Sequence, residues 1–282
     1  MFPTPVARTV APVRIGYQVL LPIALAIWLL PLLMVALFSV KPDADFVTGN
    51  IWGPPSRFDL LANYGRVFTG SDMPRYLLNS FLVTVPTVIG AVALSCMTGF
   101  ALAVYRFKGD IWIFFMFVAG NFVPFQILMV PVRDLTLELG LYDTRTGLVL
   151  FHIAFQTGFC TLFMRNFIRA LPRELIEAAR VEGVSEVRIF WYVVLPLMKP
   201  AIAALAVLIF TFIWNDYFWA IVLTQGADSQ PVTAGITAFN SQFRAAYNMM
   251  SAGSIVAALP PVAMFFLMQK HFIAGLTLGA VK

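Results

Sequence analysis

Five stretches of this chain run for 19 to 30 residues without a single Asp, Glu, Lys or Arg: residues 15–40, 76–105, 111–132, 146–164 and 245–269. A sixth, 200–223, is interrupted only by Asp216. At ~1.5 Å per residue each reaches or approaches the span of a hydrocarbon core about 30 Å thick. No other feature limits the fold as strongly. A backbone in lipid must satisfy its own N–H and C=O groups, which leaves helices or closed barrels. The alternation over ~10 residues that marks barrel strands is absent, so the pattern predicts an all-α membrane protein with six transmembrane helices. Composition agrees: only 12% of the 282 residues are charged and 60% are hydrophobic, against roughly 25% charged in soluble domains. This excludes a disordered chain and an ordinary soluble enzyme. The net charge of +5 has no Lys/Arg-rich stretch behind it, so nucleic acid is not expected as a partner. Cys96 and Cys160 lie inside apolar runs and the chain has two histidines, which predicts neither a disulfide framework nor a metal centre.

The runs divide the chain into an N-terminal tail 1–14, a first span 15–40, a loop 41–75, a five-helix region 76–270 and a C-terminal tail 271–282. The first run is too long for the apolar part of a signal peptide, and Ala36–Lys41 offers no small-x-small cleavage site, so it reads as a retained anchor. With the N-terminus inside, 12 of the 19 Lys/Arg fall on inner segments and 7 on outer ones. This bias puts both termini in the cytoplasm. Turn formers such as Gly53-Pro54-Pro55 make 41–75 more loop than domain. Pro86, Pro124, Pro131, Pro260 and Pro261 sit inside spans, where kinks are tolerated.

Residues 165–199 are the exception to the scarcity of charge, holding ten charged residues in a cytoplasmic segment. Within 171–196, Pro172 suits a first helical turn, and Glu174 and Glu177 complement the dipole there. Gly183 stands where a left-handed residue would end that helix. Ser185 is placed to cap a second helix that Pro196 should stop. Ala178 and Ala179 leave a shallow face on which another protein's backbone can approach.

The order Glu177-Ala178-Ala179, Gly183, Val193, Leu195-Pro196 resembles the EAA loop of binding-protein-dependent ABC importer permeases, with Val193 where Ile is usual and Glu182 where Asp is commoner. Leu78-Asn79-Ser80-Phe81, Gly140-Leu141-Tyr142-Asp143-Thr144, Trp214-Asn215-Asp216-Tyr217 and the ending Gly275–Lys282 are similar to segments of the carbohydrate-uptake branch, the family of the maltose permease's smaller subunit. The resemblance implies a type I ABC importer transmembrane domain in the cytoplasmic membrane, not itself an enzyme. It also implies import of a di- or oligosaccharide or glycoside. The EAA loop would be a coupling helix that docks on an ATPase. Glu177, Ala178, Ala179, Gly183, Val193, Leu195 and Pro196 would couple, and ATP and Mg would sit on partner subunits. The implied partners are two ATPase subunits, a second homologous permease, an extracytoplasmic solute-binding protein and membrane lipid. One direct reading agrees: the chain contains no Gly-Lys pair, so it has no phosphate-cradling Walker loop.

Asp216 is the one charge within a predicted span, ~25 Å along a helix counted from Lys199. Two readings stay open for it: a helix-end carboxylate near water, or, with Asn215 and Tyr217, part of the wall of a substrate path. His152 reads as a helix-packing group, and Trp28, Trp112 and Trp219 as interfacial belt residues. A glycerol 3-phosphate or phosphodiester importer is the alternative cargo class. A secondary transporter is less favoured, because no internal repeat is visible. An intramembrane aspartyl protease would need a second carboxylate in the spans.

Overall fold

The computed structural model describes residues 11–49, 51–241 and 244–278. The first ten residues, with Arg8, and the last four, Gly279–Lys282, lie outside them. In chain order the helices are α1 Ala11–Val40, α2 Asp43–Val47, α3 Leu60–Thr69, α4 Met73–Val104, α5 Asp110–Gly120, α6 Met129–Glu138, α7 Arg145–Arg169 and α8 Arg173–Val181. Next come α9 Glu186–Ile189, a π-helical turn Phe190–Val194, α10 Leu195–Leu197, α11 Lys199–Trp214, α12 Phe218–Leu223 and α13 Val232–Gly235. Two-residue strands, β1 Asn240–Ser241 and β2 Arg244–Ala245, pair antiparallel before α14 Tyr247–Leu278. Helix α14 therefore continues past residue 270.

Among the described residues four helices are long and apolar enough to cross a membrane, and the total is six when each of two bent pairs, Asp110–Gly120 with Phe125–Glu138 and Glu186–Leu197 with Lys199–Trp214, is counted as one span. Counted in that way the expected six spans are reached, but 111–132 and 200–223 are not continuous helices. The third turns by 91° after Gly120. The fifth stops at Trp214 and restarts at Phe218.

Two compact units divide the chain. The first, residues 1–70 and 239–256, has a polar centre that the reading of 41–75 as a loop did not foresee. Asn63, fully buried, donates from Nδ2 to the carbonyls of Ser39 (2.9 Å) and Lys41 (2.8 Å), and its Oδ1 accepts from Asn248 Nδ2 at 3.1 Å. Buried Lys41 donates to the Ile51 carbonyl at 2.8 Å, so this charge is anchored rather than wetted. The Ser56 hydroxyl and N–H both donate to Asp45 and hold its carboxyl below the usual aspartate value.

The second unit, residues 71–238 and 257–282, is built on the pairing of α4 with α7. Small residues let these helices approach, as is common where lipid offers no hydrophobic drive between helices. A Cβ placed on Gly99 would lie 2.9 Å from Met164 Cβ and 3.0 Å from the Arg165 nitrogen. The hydroxyls of Thr98 and Thr161 bond across the seam at 2.7 Å. Arg165 is buried beside it, donating to the Leu102 carbonyl at 3.1 Å with its guanidinium 3.8 Å from the Phe114 ring centre.

Two of the sequence segments singled out above hold one loop. Asn79 Nδ2 donates to the carbonyls of Ala227 and Gln230, both at 2.9 Å, and Ser80 Oγ accepts the Val232 N–H at 2.8 Å. From the other side, Asp143 accepts the N–H groups of Gln225 (2.7 Å) and Gly226 (3.0 Å) and the Ser229 hydroxyl. Partial burial raises the Asp143 carboxyl, and these three donors outweigh it and hold the group below its ordinary value. Asp143 has φ 55°, a conformation that Asn and Asp tolerate better than other side chains.

Candidate functional site

The charged segment folds as a helix, a turn and a second helix. Pro172 is the N-cap of α8 and Glu174 lies in its first turn. Glu182 is the C-cap and Gly183 follows with φ +75°. The Gly183 N–H bonds the Arg180 carbonyl (2.9 Å) and the Val184 N–H the Ala179 carbonyl (3.0 Å), the paired closure that lets a left-handed glycine end a helix. One side of α8 is buried: Ile176, with Ala179 and Val184 partly buried, packs on the bundle core. On the other side Glu174, Glu177, Ala178 and Val181 are exposed, Val181 at 89%. The outer face of α8 thus presents Val181 among carboxylates, turned away from the bundle core.

The structure brings the seven proposed coupling positions into one segment but does not give them one environment. Glu177, Ala178 and Gly183 are on the surface, Val193 and Leu195 pack partly against the core, and Pro196 is exposed. Glu177 also borders a recess of about 130 Å³ with Arg106, Arg169, Arg173 and Arg180. A staple that sequence reasoning missed crosses the turn. Arg180 donates from Nε to Glu186 Oε1 at 2.6 Å and from Nη2 to Oε2 at 3.1 Å, and the Tyr105 hydroxyl donates to Oε2 at 2.6 Å. The bond to Glu186 raises the Arg180 guanidinium above its ordinary value. A six-residue Arg–Glu spacing across a glycine was the available signal.

Pro196 does not stop the second helix. Five residues, Phe190–Val194, form a π turn, and the Leu195 N–H bonds the Phe190 carbonyl. The π turn ends just before Pro196, whose missing N–H cannot continue a regular helical ladder. The chain instead bends by 73° between Leu197 and Lys199, where Pro200 enters the first turn of α11.

The second place where predicted residues converge is the break in the fifth span. Asn215 Nδ2 donates to the Thr211 carbonyl (2.8 Å), the Thr233 hydroxyl to the Asp216 carbonyl (2.6 Å), and the Ala220 N–H to Asp216 Oδ2 (3.1 Å). These bonds replace ladder bonds that the interruption removes. Asp216 lines a cavity of about 340 Å³ with Asn121, Phe125, His152, Phe155, Gln156, Phe159, Phe212 and Trp219. Asn121 and Phe125 bracket the bend of the third span, so both broken spans face this one space. Asn215 and Tyr217 line instead a neighbouring cavity of about 620 Å³, which Asp216 shares.

One expectation needs correction here. Trp219 is not an interfacial belt residue: it is 3% exposed, its ring centre 4.0 Å from that of Phe151. Trp28 and Trp112, at 75% and 73%, do face outward. His152 packs inside the bundle as expected, beside a carboxylate. It is 3% exposed, its Nε2 lies 3.6 Å from Asp216 Oδ2, and its Nδ1 has no hydrogen-bond partner among the described residues.

The chain is 34% identical over 262 residues to the osmoprotective compounds uptake permease protein GgtD of Synechocystis sp., covering 91% of this chain and 88% of the relative. It is 33% identical to the arabinooligosaccharides transport system permease protein AraQ of Bacillus subtilis, with 91% of each covered. The sn-glycerol-3-phosphate transport system permease protein UgpE of Yersinia pestis is 35% identical over 71% of each chain. Among solved structures, a chain of a bacterial ABC transporter that imports the acidic polysaccharide alginate superposes with a TM-score of 0.80, covering 95% of this chain and 99% of that one at 24% identity. This identifies the fold as that of an ABC importer's transmembrane subunit. Residues 91–277, which contain the coupling segment and the cavity between the broken spans, match the binding-protein-dependent transport system inner membrane component, and the chain belongs to that family.

Proposed function

We propose that this chain is one of two permease subunits in an ATP-driven importer of a neutral di- or oligosaccharide or glycoside. Both termini face the cytoplasm, ATP and Mg are held by two separate ATPase subunits, and a solute-binding protein delivers the cargo from outside. Helix α8 is the coupling helix. Its exposed Glu177 and Ala178 meet the ATPase, and Ala179, Val193 and Leu195 tie the segment to the bundle. Gly183 sets the bend, and Pro196 lies beyond the π turn that carries motion into α11. Closure of the ATPases on ATP moves α8, and the bundle alternates between inward and outward access. Asn215, Asp216 and Tyr217 line the path.

The observation that carries this reading is the exposed outer face of α8, closed by a left-handed Gly183, in a chain similar over nine-tenths of its length to permeases named for oligosaccharides and osmolytes. The experiment is co-purification with the ATPase subunits and the second permease, reconstitution into liposomes, and a ligand screen on the solute-binding protein. ATP-dependent uptake with substrate-stimulated hydrolysis is the expected result. Uptake by this chain alone, driven by an ion gradient, would overturn it. A phosphorylated polyol is the second reading, favoured by the likeness to the glycerol 3-phosphate permease subunit.

A further inference from the structure

Along the chain, movement imposed on α8 has to pass the turn at Gly183 before it reaches α9 and α11, and that turn is a soft joint. Glycine leaves the backbone freer to rotate than any other residue, and a Cβ built on Gly183 would meet nothing within 4 Å. The backbone bonds that close α8 end at Val184, and those of α9 begin at Ser185. Ser185, the N-cap of α9, makes no side-chain cap bond. The contact among Arg180, Glu186 and Tyr105 spans this joint. Arg180 is in the last turn of α8, Glu186 in the first turn of α9, and Tyr105 is the C-cap of α4, so one carboxylate joins three elements. A lone half-exposed ion pair contributes little. Here the guanidinium and carboxylate meet as a two-pronged fork, and the Tyr105 hydroxyl donates to the second oxygen. A fork fixes direction as well as distance. Tyr105 is seated in turn: its ring meets Phe100 edge-on at 5.7 Å, and Phe100 lies 5.2 Å from Phe190, the first residue of the π turn.

We infer that Glu186, gripped by Arg180 and Tyr105, is a positioning residue of the transport cycle that locks the Gly183 joint and carries movement of α8 to the end of α4. Helix α4 pairs with α7 as the frame of this unit, so a push delivered there reaches more of the bundle than one delivered to α11 alone. With the fork in place, α8, the start of α9 and the end of α4 move together. Without it, α8 swings about Gly183, and the movement imposed at Glu177 and Ala178 is taken up in the turn. The ATPases then close and hydrolyse ATP while the bundle stays where it is.

This inference rests on the importer reading and on the coupling role of α8, and adds to them Tyr105, Arg180 and Glu186 and a second route into the bundle. The test uses the complete transporter in liposomes, with its second permease, ATPases and binding protein, and the glycoside that the binding-protein screen identifies. The readout is substrate imported per ATP hydrolysed. Y105F deletes one hydroxyl and keeps the ring contacts, and the ratio is expected to fall about threefold; E186A frees the joint, and it falls about tenfold. Y105F/E186A should match E186A, because the hydroxyl acts only through the carboxylate. A merely structural role would instead lower uptake, hydrolysis and melting temperature in step at an unchanged ratio, and that result overturns the inference. So does a double variant in which the two losses add. If E177K fails and E186A keeps the wild-type ratio, the fork is overturned and the coupling role of α8 stands. Absence of any ATP-driven uptake by the wild type overturns the importer reading, and this inference with it.

Discussion

Replacing Gly183 with proline is expected to abolish ATP-driven uptake while the chain still inserts into the membrane. Proline fixes φ near −65°, whereas residue 183 stands at +75°, so the helix end cannot close as it does now. Proline also removes the N–H that bonds the Arg180 carbonyl, and the bond from Val184 to the Ala179 carbonyl depends on the same turn. The six apolar runs that direct insertion are untouched. G183A gives the graded comparison: a left-handed alanine costs ~1–2 kcal/mol, so its loss is partial. Glu177→Lys tests the same surface at an exposed position, where charge reversal among Arg106, Arg169, Arg173 and Arg180 adds local repulsion but removes no buried contact. A fifth cation there replaces the carboxylate offered to the ATPase. Losing a hydrogen bond to a charged group is worth ~1.5–3 kcal/mol, or about 10- to 150-fold in coupling. Substrate-stimulated hydrolysis and uptake, measured together in liposomes, should both fall in G183P and E177K. Normal transport by E177K would remove α8 from the coupling role.

The long helices were legible because crossing hydrocarbon is a one-dimensional requirement. Length without charge is enough to locate α1, α4, α7 and α14, whatever packs against them. The turn at Gly183 was legible for a similar reason, since helix closure is local chemistry. The breaks were not. Of the five prolines noted within spans, Pro124 marks the bend of the third, but Pro86, Pro260 and Pro261 lie inside continuous helices. The 73° bend at Met198 lies between Pro196 and Pro200, but the later interruption between Trp214 and Phe218 contains no proline at all. Asp216 makes it by bonding backbone groups of α12, an option open to Asp side chains near any helix end and visible only once Thr233 and Ala220 are in place. Trp219 was misjudged because a single run shows that a residue is in the membrane and not which way it faces. The helical periodicity that would give its direction is faint when every side of the helix is apolar.

The packing of α4 on α7 gives the other large expected effect, and it separates two glycines that look alike in sequence. A Cβ on Gly90 would meet the tip of Ile153, Cδ1 at 2.6 Å and Cγ1 at 3.1 Å. A side-chain tip can rotate away, and alanine gains ~0.8–1 kcal/mol over glycine in a helix, so G90A should be close to neutral. A Cβ on Gly99 would meet Met164 Cβ at 2.9 Å and the Arg165 nitrogen at 3.0 Å. That is the body of α7, which cannot yield without moving the helix. Overpacking of this kind costs ~1–3 kcal/mol, more than the gain in helix propensity, so G99A should be destabilised where G90A is not. Leucine at 99 adds a side chain with no space for it and pushes α7 away where buried Arg165 reaches the Leu102 carbonyl and covers the Phe114 ring. Separating those groups leaves a buried guanidinium without its acceptor, a second penalty on top of the steric one. G99L should therefore fail to give a monodisperse complex in detergent, and G99A should melt several degrees below both wild type and G90A. Equal melting of G90A and G99A would mean that the seam is soft and that α7 shifts freely along α4.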